Sequence, residues 1–378
     1  MKKIFKFYIP GVILLTIVIL FIQPNPYFRN AIIYTTAGIS DHEIFENRTI
    51  NTGEPQSWKT SLNYNKYILS EEDNSLLKKY ESIAFVAIKD TQIVFESYWD
   101  GYSQESFSSS FSMAKSFVSL LIGIAIDDGL ISSVNDPVSK YIPEFNAREY
   151  NITIRDLLTM SSGLEWNESY FNPFSVTTKA YYGKNLNKLV LKAKSIQAPA
   201  QKFDYITANP QLLSMILKKV TGLSLSEYAS EKLWKPLGAE SIATWSLDMK
   251  GGDEKAFCCF NSNARDFAKL GQLVLNKGSW NGSQVVSESY LNESFAPASH
   301  VRDKNNKPVD FYGYQWWICH YNDLMVYYAR GILGQYIICI PEKNIVIVRL
   351  GHKRNNQKLK HHPLDLYSWI DLGIKICD

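Results

Sequence analysis

A chain of 378 residues with 46% hydrophobic content has ample apolar material for a large core in one or two domains. A net charge of +3 with no basic block argues against nucleic acid as a partner. The five cysteines (Cys258, Cys259, Cys319, Cys339 and Cys377) form no Cys-x-x-Cys pair and the histidines are scattered, so neither a structural zinc site nor a Ser-His-Asp triad is indicated.

Lys2, Lys3 and Lys6 precede an apolar run over 12–22, and no charge falls between Lys6 and Arg29. A basic flank followed by such a run is a secretory signal or a signal anchor. Because Gln23-Pro24-Asn25-Pro26 stands where a small-x-small cleavage site would be, residues 1–28 are read as a membrane anchor. That leaves 29–378 as one domain on the periplasmic or extracellular face, or secreted if the N-terminus is cleaved. After an irregular lead-in through 45–50, β-rich runs at 82–88 and 92–99 flank Lys89-Asp90-Thr91 and predict a hairpin. A Ser-rich stretch then supplies turn and cap chemistry for a buried helix ending near Asp127-Asp128-Gly129.

From about 136 to 247 the pattern changes to short helices and loops, read as a helical insertion. Its helices cover 152–160 with Thr153 as N-cap, 210–221 stopped by Gly222, and 225–234, where Ser224 and Glu227 make a capping box. A helix over 264–275, strands at 312–319, 324–329, 335–340 and 345–350, and a closing helix over 363–376 follow. Strands at both ends with helices between them predict an α+β fold. In it the N- and C-terminal parts build one antiparallel sheet flanked by helices, and the sheet carries an inserted helical subdomain.

Ser112 and Lys115 are separated by two residues at the start of the buried helix, so they share a face one turn apart. A hydroxyl is a poor nucleophile until a base takes its proton, and a neutral amine can do so. Burial and the positive end of the helix both disfavour an ammonium at position 115. An isolated Ser-x-x-Lys is common by chance, and its ordinary meaning is a solvated helix face.

The other motifs decide the matter. Ser112-x-x-Lys115, the 152–164 segment, Tyr205, Val220-Thr-Gly-Leu, Pro236-Leu-Gly, Ala264-Arg-Asp and a late strand from Gly331 to Gln335 resemble the serine β-lactamase and penicillin-binding superfamily, in its class C-like branch. Within that branch, Trp166-Asn-Glu168, Phe257-Cys-Cys-Phe, Tyr312-Gly-Tyr-Gln-Trp-Trp317 and Gly334-Gln335-Tyr336 are most similar to 6-aminohexanoate-dimer hydrolases and related esterases. The resemblance spans roughly 45–351. It implies a serine hydrolase that forms an acyl-enzyme on Ser112 with small amide or ester substrates and needs no metal or organic cofactor. Tyr205 would share protons with Lys115 and Ser112 and protonate the leaving group. The backbone N–H groups of Ser112 and Ile332 would form the oxyanion hole, with Gly331 letting the strand approach closely.

Trp166, Glu168, Tyr170, Asn209, Trp316 and Trp317 are assigned to lining or supporting the cleft, and Arg330 to binding a carboxylate in place of the missing lysine of the Lys-Thr-Gly motif. The chain departs from the class C Tyr-x-Asn pattern, because Thr207 holds the Asn place and Asn209 lies two residues on; this argues against efficient β-lactam hydrolysis. Two alternatives remain open: a catalytically silent sensor or scaffold, and a cell-wall DD-peptidase. No pattern addresses oligomeric state.

Overall fold

A computed structural model describes residue 11 and residues 27–147, 150–170 and 172–378, and the hairpin predicted around Lys89-Asp90-Thr91 lies within the principal sheet. In chain order the strands of that sheet are β1 (Lys59–Thr60), β2 (Ser82–Lys89), β3 (Gln92–Tyr98), β4 (Trp317–Tyr321), β5 (Leu324–Gly331), β6 (Gln335–Ile340) and β7 (Ile345–Gly351). Spatially they run β4-β5-β6-β7-β2-β3-β1. The N- and C-terminal parts meet where β7 pairs antiparallel with β2, Ile345 opposite Lys89 and Ile347 opposite Ala87. Only the two-residue edge strand β1 departs from the expected pattern, pairing parallel to β3. Asp90 (φ 49°) and Thr91 (φ 64°) both adopt left-handed backbone, the geometry that matches a two-residue turn to the twist of its strands.

Both faces of the sheet are covered, which is why its central strands read as nearly continuous apolar runs. Val86, Ile88, Ile337, Val346 and Val348 belong to the larger core, beside helix α4 (Ala264–Leu275). Phe85, Ala87, Ile338 and Ile347 belong to the second core, with Trp369 and Ile370 of the closing helix α5 (Leu364–Cys377). A smaller four-stranded sheet joins Asn47–Ile50, Ala243–Ser246, Phe260–Ser262 and Ser108–Ser109, in that order.

The helical block contains α3 (Ala208–Thr221), closed by Gly222 at φ 71°, and the predicted capping box at Ser224/Glu227; the predicted N-cap Thr153 proves to be part of a capping box as well, with Asp156. Its last expected residues, however, are the strand Ala243–Ser246 rather than helix.

Several expectations need correction. The lead-in is not wholly irregular: α1 (Tyr27–Tyr34) forms and packs against the helix Val176–Tyr182, with Tyr34 stacked on Tyr182 at 6.1 Å. The strand expected over 312–319 begins only at Trp317, because Gln315 turns to φ 62° and sends its N–H and its side-chain amide to the carbonyls of Leu157 and Leu158. Residues 332–334 are a tight 3₁₀ turn between β5 and β6, not a strand. The Ser-rich run caps nothing; Ser108 and Ser109 pair with Ser262 and Asn261 instead. The apolar run over 12–22 lies outside the described residues, among which no helix is long and apolar enough to cross a membrane.

One ion pair joins the two ends of the domain and carries a pH prediction. Asp73 completes the capping box of the helix Glu71–Lys79 and receives Lys375 of α5 at 3.0 Å. Burial by itself would raise its carboxyl; the Ser70 N–H, Lys375 and the hydroxyls of Ser70 and Tyr67 outweigh burial and hold it at about 2. A carboxyl depressed in the folded state stabilises above its unfolded value of about 4, and that contribution fades as pH falls toward 2. Asp73→Ala should therefore cost ~1 kcal/mol of unfolding free energy at pH 7, with the gap to wild type closing by pH 2 in urea titrations.

Candidate active site

The short strand Ser108–Ser109 fixes the approach to Ser112 by pairing with Phe260–Ser262, and the Ser110 N–H donates to the Phe260 carbonyl at 2.8 Å. Phe111 then takes a left-handed conformation at φ 45° although it is a bulky buried side chain. Such a conformation costs about 1–2 kcal/mol and persists only where the surroundings impose it. Its effect is to set Ser112 on a 3₁₀ turn, Phe111–Met113, directly before α2 (Ala114–Asp127).

Lys115, the second residue of α2, is 1% exposed. Its Nζ lies 2.9 Å from Ser112 Oγ and donates to the Phe257 carbonyl, also at 2.9 Å. Tyr205 stands in the loop ahead of α3, and its ring centroid is 4.9 Å from that amine. The ring packs 5.5 Å from Trp317 and 6.0 Å from Tyr312, and among the described residues its hydroxyl makes no hydrogen bond. The three residues predicted to cooperate thus converge, with the phenol not yet hydrogen-bonded to either partner.

Gly331 ends β5 where a side chain could not fit: a Cβ there would stand 2.4 Å from the Ser110 carbonyl oxygen. Ile332 opens the 3₁₀ turn that follows, and Ser112 lies in the first turn of its own. Backbone N–H groups at such positions have no partner inside the segment, so both are free to serve an external acceptor. Two residues that sequence reasoning missed hold this turn. Arg349, fully buried, donates to the carbonyls of Gly334 (2.8 Å) and Lys353 (2.9 Å), and Gln335 donates to those of Gly351 (2.6 Å) and Ile332 (3.2 Å). A charged residue in the middle of an otherwise aliphatic strand was the available signal for Arg349.

Ser112, Glu168, Tyr170, Tyr205, Trp317, Arg330, Gly331 and Ile332 line one cleft of 880 Å³. Three other predicted residues do not reach it. Trp166 is buried and donates to Thr177 Oγ1 at 2.9 Å; Trp316 is fully buried and packs 5.4 Å from Phe295; Asn209 is fully buried and accepts from Ser162 Oγ at 2.6 Å. Each sits on the inward face of its segment, a property that identity alone does not reveal. Glu168 is held by the Thr207 N–H (2.7 Å), the Thr207 hydroxyl (2.6 Å) and the Tyr170 hydroxyl (2.5 Å). Thr207 is consequently turned away from the cleft that the class C-like Asn would serve.

The far wall carries an excess of cations, with Asp303 and Asp310 lying among Lys304, Lys307, Lys358 and Lys360. Arg330 lies 3.7 Å above the Trp317 ring, and Arg354, Lys304 and Lys358 line the cleft beside it. Desolvation, then the charges of Arg330, Arg354 and Lys304, lowers the Lys358 ammonium below its ordinary value. Among the described residues no carboxylate forms an ion pair with Arg330, Arg354 or Lys358. On the opposite side, burial followed by the nearby Glu168 raises the Asp204 carboxyl. The basic residues after β7 (Lys353, Arg354, Lys358 and Lys360), interrupted in the sequence by uncharged ones, were left unassigned there and are brought to the cleft and cavity only by the fold.

The Phe257 carbonyl was missed as a partner of Lys115. It precedes a disulfide between the adjacent cysteines Cys258 and Cys259, with Cys259 at φ 67°. Two neighbouring cysteines in a chain read as exported were the signal.

Comparison with known proteins places this geometry. The model of the family described as Beta-lactamase matches residues 75–365. Over 287 residues the chain is 28% identical to the 6-aminohexanoate-dimer hydrolase of Paenarthrobacter ureafaciens, covering 71% of this chain and 72% of that one. A Bacillus anthracis structure described as a candidate 6-aminohexanoate-dimer hydrolase superposes with a TM-score of 0.74 at 21% identity, covering 93% of this chain and 94% of its own. A family VIII carboxylesterase superposes with a TM-score of 0.62 at 16% identity, over 82% and 99%. At those identities the two structures speak to the fold alone.

Proposed function

This chain belongs to the beta-lactamase family, and on that premise we propose that it is a serine amidase or esterase in which Ser112 is the nucleophile, Lys115 the base and Tyr205 the acid for the leaving group. The observation that carries the reading is the 2.9 Å contact between Lys115 Nζ and Ser112 Oγ at the floor of the cleft. A neutral amine can accept the Ser112 proton while one of its own N–H bonds remains on the Phe257 carbonyl. Ser112 Oγ bonds to the substrate carbonyl carbon, and the resulting oxyanion is received by the N–H groups of Ser112 and Ile332. As the C–O or C–N bond breaks, the proton taken from Ser112 passes through Lys115 and Tyr205 to the leaving atom. Water then attacks the acyl carbon, releases the acid and restores the serine proton.

Arg330, 3.7 Å over the Trp317 ring and without an ion-pair partner among the described residues, supports recognition of a carboxylate or other anion on the leaving part. Thr207 engaged with Glu168 supports weak handling of β-lactams. The basic, then apolar, N-terminus supports a domain anchored to a membrane and working outside the cytoplasm.

A panel of p-nitrophenyl esters, 6-aminohexanoate dimer and nitrocefin tests the reading. Esters and the dimer should turn over, with kcat/KM for nitrocefin at least about a hundredfold below the best ester. Arg330→Ala should raise KM about tenfold for the carboxylate-bearing dimer and leave KM for neutral esters within about twofold. No turnover of any ester or amide, together with no fluorophosphonate adduct on Ser112, would return the chain to the silent-scaffold reading.

A further inference from the structure

Ser112 opens on a second cavity as well as on the cationic cleft. This space, 770 Å³, runs from Ser112, Phe111 and Ile332 outward to α1 and the irregular exit after it, and the helix Val176–Tyr182 closes its other side. Ala31, Ile32, Ala37, Pro173, Tyr181 and Leu333 give it an apolar lining. Its charged lining among the described residues, Lys353 and Arg354 with His352 beside them, comes from the loop after β7. Tyr170, Ile332, Arg354 and Ser112 are common to both spaces and mark where they join. Tyr205 lines the cationic cleft and not the apolar cavity.

That asymmetry assigns the two arms. The leaving atom must lie beside the residue that protonates it, so the leaving part occupies the cleft with Tyr205 and Arg330. The acyl part must then extend from Ser112 to the other side. We propose that the apolar cavity is an acyl-chain site, walled by α1 and its exit, and that the substrates are esters or amides of an aliphatic acyl group with an anionic leaving part. The proposal rests on the hydrolase reading and adds the acyl class to it. In the acylation step the chain's carbonyl carbon bonds to Ser112 Oγ, the bond to the leaving atom breaks, and the proton from Ser112 goes to that atom. Hydrolysis then frees the fatty acid. A cavity of this size lies within the range of ligand sites, about 300–1,000 Å³. Each methylene buried in it favours the transition state by up to about fourfold.

The full chain, assayed with p-nitrophenyl acetate, butyrate, octanoate and decanoate below their aggregation concentrations, provides the test. For wild type, kcat/KM should rise at least about tenfold from acetate to octanoate. Thr36, exposed at the rim of the cavity, offers a way to block it: Thr36→Trp should reduce that ratio to about threefold or less, while fluorophosphonate labelling reports an intact Ser112. Ala37→Phe, deeper in the lining, should have the same effect. A wild-type profile that is flat or falls with chain length overturns the proposal while leaving the hydrolase reading intact, as it would if another occupant filled the cavity. So does an unchanged octanoate-to-acetate ratio in both variants. Loss of turnover on every ester, acetate included, defeats the hydrolase reading and this proposal with it.

Discussion

Ser112→Ala is expected to lower kcat for any ester at least about a thousandfold and to abolish fluorophosphonate labelling. Lys115→Met should come close to the same loss, because its amine lies 2.9 Å from the hydroxyl it must activate and is 1% exposed, where water is poorly placed to substitute. The double variant should be scarcely worse than either single one, as residues that act as a unit are strongly non-additive. Tyr205→Phe separates the roles further. General-acid assistance is worth about 10²–10⁴-fold, and a p-nitrophenolate needs little of it. The tyrosine variant should therefore lose much more activity on amides than on p-nitrophenyl esters. Lys115→Met retaining more than about a tenth of wild-type kcat would remove the lysine from the base role, whatever the serine variant did.

The second large effect belongs to Gly331→Ala. A Cβ at this position would stand 2.4 Å from the Ser110 carbonyl and 3.1 Å from Phe111 Cβ, so β5 must move away from the segment that carries the nucleophile. Ile332 follows directly, and its N–H would be displaced relative to that of Ser112. Loss of one oxyanion donor typically costs about 10²–10³ in kcat, and kcat for Gly331→Ala should fall by that order with a smaller change in KM. A destabilised fold would produce a parallel drop in labelling and in melting temperature. The oxyanion assignment instead requires kcat to fall in protein that remains folded at the assay temperature. Full kcat in this variant would show that the acyl oxygen is held elsewhere.

Local chemistry was read correctly where it is written in neighbouring residues. Ser224 and Glu227 cap a helix because two backbone donors and two side chains lie within four positions of each other, and Gly222 stops α3 because it accepts a left-handed φ. The Ser112–Lys115 contact belongs to the same class, being one helical turn. Expectations failed where a segment answers to distant partners. Gln315 bends the chain away from a strand to reach the carbonyls of Leu157 and Leu158, and Ser108–Ser109 pair with a strand about 150 positions further along. Trp166, Trp316 and Asn209 were assigned to lining or supporting the cleft, yet whether a residue reaches it depends on which face of its segment packs inward.

Periodicity and caps were thus enough to define the α+β pattern, and motif order, through the family resemblance it carries, was enough to propose a hydrolase with Ser112 and Lys115 as nucleophile and base, since each depends on residues that are close along the chain. Only tertiary structure could bring Tyr205 over the amine, put the Phe257 carbonyl on Lys115, lock the Ile332 turn with Arg349, and set a cationic cleft and an apolar cavity on either side of Ser112. Those arrangements join positions tens to hundreds of residues apart. What selects them is the packing of two layers against a common sheet, an energy summed over the whole core that no short stretch of chain contains.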